Sequence, residues 1–174
     1  MSKSAVKVST DGYVQTLDPK AAMDNYASEF EAFMKTRVTD PLWLRKQREE
    51  AFAAFLKAGF PTMRDEDWHF TNIAPVAERM FTLAKPASVA KADIEHFRLR
   101  HEEWSGVVLV NGIFSRELST LGGSQKGISI RALSEGMNDI PDAAEEIIGK
   151  VAPPHATFTA LNSAFMQDAI VINV

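Results

Sequence analysis

The sequence predicts an α+β fold, an N-terminal antiparallel helix pair followed by a small β region. Three observations predict it. Two apolar stripes of helical period each open on an Asp-Pro pair, Asp18-Pro19 and Asp40-Pro41. Asn111-Gly112 sits between two apolar β-branched runs, in VVLVNGIF (residues 107–114). The segment AIVINV alternates apolar side chains at Ile170, Ile172 and Val174. A length of 174 residues fits one domain with a small appendage.

Residues 1–17 read as a flexible tail, because MSKSAVKVST lacks the long apolar stretch of a secretory signal. Asp18 is placed to cap the first helix and Pro19 to occupy its first position. Met23, Tyr26, Phe30, Phe33 and Met34 then share one face, while Asp24, Glu29, Glu31 and Lys35 take the other. After the break at Thr39-Asp40-Pro41, a second helix runs from about Pro41 to Ala58 with Leu44, Ala51, Phe52, Phe55 and Leu56 as its buried stripe. Arg45, Lys46 and Arg48, followed by Glu49 and Glu50, read as a solvated face. Gly59 suits the left-handed position after the helix, Phe60 can fold back on the last turn, and Pro61 forbids continuation.

The signals from Thr71 to Asp93 are weak; Val76–Leu83 suits a short helix or strand. Asn111-Gly112 predicts a type I′ hairpin with Val110 opposite Ile113. GISIRAL (127–133) reads as a strand after the polar loop at Gly122-Gly123. Pro141–Lys150 reads as a short helix starting near Asn138 or Asp139, and Pro153-Pro154 as a stiff break. Residues 157–165 read as helix and 169–174 as a last strand. That strand has no evident partner, so the sequence is expected to be the front part of a longer protein. Its apolar edge is expected to pair with another copy or to be covered by the chain's own loops. The resulting division is 1–17 tail, 18–85 helical region, 86–156 small α/β region with the hairpin, and 157–174 helix and strand.

Several functions are disfavoured by composition. A net charge of −4 lacks the concentrated basic face of a nucleic-acid binder. With no cysteine, there is no disulfide, thiolate ligand or thiol nucleophile. No apolar run approaches the ~20 residues that span a bilayer, and a cytoplasmic protein is expected. LGGSQKGIS does not have the spacing of a phosphate-binding loop, and no GxSxG is present.

The densest candidate site is PTMRDEDWHF (61–70). Asp65, Glu66, Asp67 and His69 could ligate a metal in a metal-dependent enzyme, but their spacing matches neither a calcium loop nor HExxH. Four ligands from five consecutive residues converge poorly on one ion. The alternative is a structural corner in which Asp65 or Thr62 caps a turn, Glu66 or Asp67 meets its positive end, Arg64 pairs with an acid, and Trp68 anchors in the core. His96, His101 and His155 show no spacing that pairs them.

Three segments together resemble the SufD family of iron–sulfur cluster assembly proteins. KAGFPTMRDEDWHFTNI carries that family's Pro-Thr-x-x-x-Glu-x-Trp-x-x-Thr pattern on Pro61, Thr62, Glu66, Trp68 and Thr71. VVLVNGIFSRELSTL carries its strand–Asn-Gly–strand and Leu-Ser on Asn111, Gly112, Phe114, Leu118 and Ser119. FTALNSAFMQDAIVINV carries Leu-Asn-x-Ala-Phe-x-x-Asp on Leu161, Asn162, Ala164, Phe165 and Asp168, a motif shared with the paralogous SufB. The resemblance implies a fold that leads into a right-handed parallel β-helix, mostly absent from this chain. It implies a parent that pairs with SufB and binds the ATPase SufC, with an iron–sulfur cluster and the partner's ATP belonging to the complex. It implies no catalytic, cofactor or metal residue in this region, the motif residues being structural. The rival reading is an interaction module unrelated to cluster assembly.

Overall fold

A computed structural model describes residues 19–97, 105–121, 127–136, 143–152 and 155–174. The expectations for the tail, the Asp18 cap, the Gly122-Gly123 loop, Asn138, Asp139, Pro141, Pro153-Pro154 and His101 lie outside the described residues.

Helices α1 (Pro19–Lys35) and α2 (Leu42–Ala58) are joined by a tight connection. Their ring contacts fix their relative direction. Tyr26 meets Phe55 with centroids 5.4 Å apart, and Phe30 stacks on Phe52 at 4.1 Å. The later residue of α1 meets the earlier residue of α2, so the pair is antiparallel, as the stripes predict. A third helix, α6 (Thr157–Ala164), completes the layer. Its Thr157 hydroxyl donates to the Gly59 carbonyl at the end of α2 (2.7 Å), while Phe165, just past α6, lies 6.1 Å from Phe52. Thus α6 also runs antiparallel to α2. Ala160 and Ala164, one turn apart, are buried in the interface and allow close backbone approach.

The core is aromatic. Tyr26, Phe30, Phe33, Phe52 and Phe55 are buried, and Phe165 closes over Tyr26, Phe30, Phe33 and Phe52. Each buried ring contributes about 1.5–3 kcal/mol of transfer free energy. Gly59 has φ +67, donates its N–H to the Phe55 carbonyl (2.9 Å), and lets Phe60 turn back onto Tyr26 and Phe55. That reversal is as the sequence predicts.

Two expectations for α2 need correction. Leu56 is exposed, because it lies a residue past the buried line through Leu44, Phe52 and Phe55. Arg48 is not on a solvated face: it is 1% exposed and falls on that same buried line. Its Nη1 donates to Asp40 (2.6 Å), its Nε to the Met166 carbonyl (3.1 Å), and its guanidinium carbon lies 5.3 Å from the Phe33 ring centroid. Asp40 therefore serves this buried cation, and α2 starts without a side-chain cap.

Short helices α3 (Ala74–Ala77) and α4 (Lys91–Ile94) follow α2. Strands β1 (Leu109–Val110) and β2 (Ile113–Phe114) form the predicted hairpin, with Val110 opposite Ile113. Asn111 (φ 52) and Gly112 (φ 80) both adopt the left-handed backbone that a type I′ turn requires. Beyond the hairpin, Gly106 and Thr120 exchange backbone hydrogen bonds of 2.6 and 2.8 Å. Strand β3 (Ser129–Ala132) follows, and α5 (Ala143–Ile147) occupies part of the predicted 141–150 helix.

The last strand, β4 (Ile170–Asn173), is not unpartnered. It pairs antiparallel with β3, with Ile130 opposite Ile172 and Ala132 opposite Ile170. The Leu133 N–H donates to the Ala169 carbonyl (3.0 Å) and extends the ladder. The partner escaped sequence reasoning because a pairing across some forty intervening residues carries no local turn signal. Among the described residues the architecture is thus α+β: three helices around an aromatic core, and two separate two-stranded sheets. No helix among the described residues is long and apolar enough to cross a membrane.

Candidate functional site

The charged corner folds as a knot of local hydrogen bonds around a short 3₁₀ turn, Glu66–Trp68. The Asp65 carboxylate accepts from the Thr62 N–H (2.7 Å) and hydroxyl (3.0 Å), and the Thr62 hydroxyl accepts from the Arg64 N–H (3.2 Å). These bonds hold the Asp65 carboxyl below the usual carboxylate range, the Thr62 N–H contributing most. Asp65 precedes the 3₁₀ turn without capping it, and its carboxylate turns back to Thr62. Trp68 N–H donates to the Asp65 carbonyl and Thr71 N–H to the Trp68 carbonyl, both at 2.9 Å.

The residues expected to act as ligands do not converge. Asp65 is engaged by Thr62, and the His69 Nδ1 lies 3.1 Å from the Met63 carbonyl oxygen. Glu66 and Asp67 are exposed and meet no cation among the described residues, so Arg64 does not form the expected pair. Among the described residues, no group of three or more His, Cys, Asp or Glu side chains is placed to hold a metal ion. Trp68 is half-buried against Phe158 at 5.3 Å, at the edge of the aromatic core rather than within it. Pro61 is half-buried and Thr62, Glu66 and Thr71 are exposed.

Of the other predicted residues, Asp168 forms a second junction. Asp168 is 7% exposed, and its carboxylate collects four donors. Oδ2 accepts from the Phe114 N–H of β2 (2.9 Å) and the Ser134 hydroxyl (2.6 Å); Oδ1 accepts from the Ser134 N–H (3.0 Å) and the Ala169 N–H (2.9 Å). One side chain therefore ties the hairpin, the turn after β3 and the start of β4. Asn111, on the hairpin tip, donates through Nδ2 to the Lys85 carbonyl (2.8 Å). Leu161 packs against the helical core beside Phe165, while Asn162 is exposed. The last motif thus links the helical layer, through Phe165, to both sheets, through Asp168.

Sequence reasoning missed Arg48 and Ser134. Arg48 had a signal, since Leu44, Arg48, Phe52 and Phe55 share one face at helical spacing. Ser134 had none.

Two clefts flank α6. One, of about 490 Å³, lies between α2, α5 and α6 and is lined by Trp43, Lys46, Glu50, Glu145 and Lys150 among others. The other, of about 380 Å³, is walled by Tyr26, Phe81, Leu83, Phe158 and Leu161. Neither lining holds a histidine, and the described histidines lie apart: His69 in the corner, His96 against Phe97, and His155 before α6.

A family model described as the SufBD protein N-terminal region matches residues 20–174. An iron-sulfur cluster assembly SufBD family protein of Synechocystis sp. is 28% identical over 112 residues, 64% of this chain and 25% of that relative. The matched part thus spans about a quarter of the relative's length. No solved structure matches the chain.

Proposed function

The chain belongs to the SufBD family, of which it carries the N-terminal region, and from that premise we propose that its parent is a SufD-like scaffold subunit of an iron–sulfur cluster assembly complex. The observation that carries this reading is the family match over residues 20–174. The similar Synechocystis protein bears the name of an iron–sulfur cluster assembly protein, in keeping with that role. SufD is favoured over SufB because the corner motif and the hairpin motif both follow the SufD pattern.

In this reading the segment is a non-catalytic cap. Two engaged carboxylates support that: Asp65 is held by Thr62, and Asp168 by four donors. The cluster and the nucleotide belong to the partners, homologues of SufB and of the ATPase SufC, in the cytoplasm. A right-handed parallel β-helix is proposed to continue from β4. The exposed apolar side chain of Ile172 on β4 supports further structure covering this face.

The test is affinity purification of the full-length protein from cells that express its own SufB and SufC homologues. The expected result is a stoichiometric complex that needs this N-terminal region for stable assembly. Recovery without either homologue, or stoichiometric tight iron or zinc in the isolated N-terminal region, would overturn the reading.

A further inference from the structure

We propose that the corner from Met63 to Phe70 is a docking surface for another protein, one presenting an apolar pocket rimmed by Lys and Arg. Phe70 is 95% exposed and Met63 54%. The Met63 carbonyl oxygen lies 3.1 Å from His69 Nδ1, and the His69 and Phe70 ring centroids are 4.8 Å apart. The His69 and Phe70 rings therefore sit side by side on the outside of a turn, next to the Met63 backbone.

The turn is rigidly built. Thr62 and Asp65 close it with two side-chain hydrogen bonds, the backbone closes it again from Asp65 to Thr62 (3.0 Å) and from Trp68 to Asp65 (2.9 Å), and Trp68 rests on Phe158. A braced loop that still holds a phenylalanine in water forgoes transfer free energy that a small shift would recover in a slack one. Preorganised display of an aromatic anchor is the arrangement that makes binding inexpensive in ordering entropy.

Charge selects the occupant. Arg64 is the one cation against Asp65, Glu66 and Asp67, so the corner is negative. Glu66 and Asp67 are exposed and meet no cation among the described residues. A basic rim complements them and speeds encounter. A second copy of the chain is disfavoured, because self-contact of this patch would set acid against acid and the chain carries a net −4. The inference does not depend on the cluster-assembly reading: the surface can dock a basic partner whatever the parent's role.

The test places a photoreactive benzoylphenylalanine at position 70 of the full-length protein in its own cells, with the adduct mapped by mass spectrometry. The expected result is an adduct to a different polypeptide, at an apolar site flanked by Lys or Arg. The yield is expected to fall about fivefold in a Glu66→Gln, Asp67→Asn variant, as for loss of two surface charge pairs. An adduct within the same chain, to a second copy, or to a site indifferent to the acid substitutions would overturn the proposal, as would no adduct. Phe70→Ser is expected to leave the thermal midpoint unchanged; a fall of several degrees would make Phe70 part of the fold and end the proposal. The identity of the captured polypeptide separately tests the assembly role.

Discussion

The guanidinium of buried Arg48 lies over the Phe33 ring, and its charge is answered by Asp40 and the Met166 carbonyl. Burial pulls its pKa down and the Asp40 carboxylate pulls it up, yet an arginine stays charged at any working pH. Asp40→Ala therefore strands a buried cation. It is expected to cost about 3 kcal/mol, the low end for breaking a buried pair because Asp40 is 20% exposed. Arg48→Met removes the charge with its desolvation and should cost less than Asp40→Ala in urea unfolding. The opposite order would show that the pair contributes stability beyond mutual neutralisation. Asp168 invites a parallel comparison, because it accepts four hydrogen bonds through two oxygens. Asp168→Ala leaves all four donors wanting and is expected to cost about 3–5 kcal/mol, since each buried orphan costs roughly 1–3 kcal/mol and some find water. Asp168→Asn keeps one acceptor and should cost about half as much. Equal costs for the two would mean that side-chain volume, not hydrogen bonding, makes the junction.

Among the elements, α6 decides how the helical layer meets the sheets. Ala160 and Ala164 are buried against α2, and Phe165 lies among rings from α1 and α2. Ala164→Leu adds three carbons where no room exists, and overpacking of that kind costs about 1–3 kcal/mol. Ser163→Leu, one residue earlier on the helix, should be milder because Ser163 borders the cleft beside α5. Thermal unfolding of the two variants checks the order; a larger loss for Ser163→Leu would place the tight contact on the wrong face. Elements with local signatures were legible from sequence: the two aromatic stripes gave α1 and α2, and Asn111-Gly112 gave the hairpin with its register. The β3–β4 pairing was not, and the burial of Arg48 was legible only from its place on the face of Leu44, Phe52 and Phe55, against its charge. The first is a long-range contact, and the second is a polar residue occupying an apolar position. The corner at 61–70 was legible as a turn, but not the outward display of Phe70, because exposure is set by what packs around a loop.

At the scale of the whole molecule, the pH response follows from carboxylates engaged at the surface. Asp65 is held below its ordinary value by hydrogen bonds from Thr62, Glu135 by its hydrogen bonds from Arg116, and Glu31 by its hydrogen bond from Lys35. A carboxyl lowered in the folded state adds stability above its unfolded value. That contribution fades as pH falls through the lowered value. All three shifts have this sign, so the loss belongs on the acid side, below about pH 4 where carboxylates ordinarily titrate. These groups are solvent-facing, so the loss is gradual rather than a collapse. The thermal midpoint is expected to hold steady from pH 7 to pH 5 and to decline towards pH 3. The Asp65→Asn, Glu135→Gln double variant should start lower at pH 7 and decline less steeply. Raising the salt at pH 7 should narrow the gap between it and the parent, because screening weakens the exposed Arg116–Glu135 contact first. Parallel declines in the two proteins would assign the acid sensitivity to carboxylates other than Asp65 and Glu135.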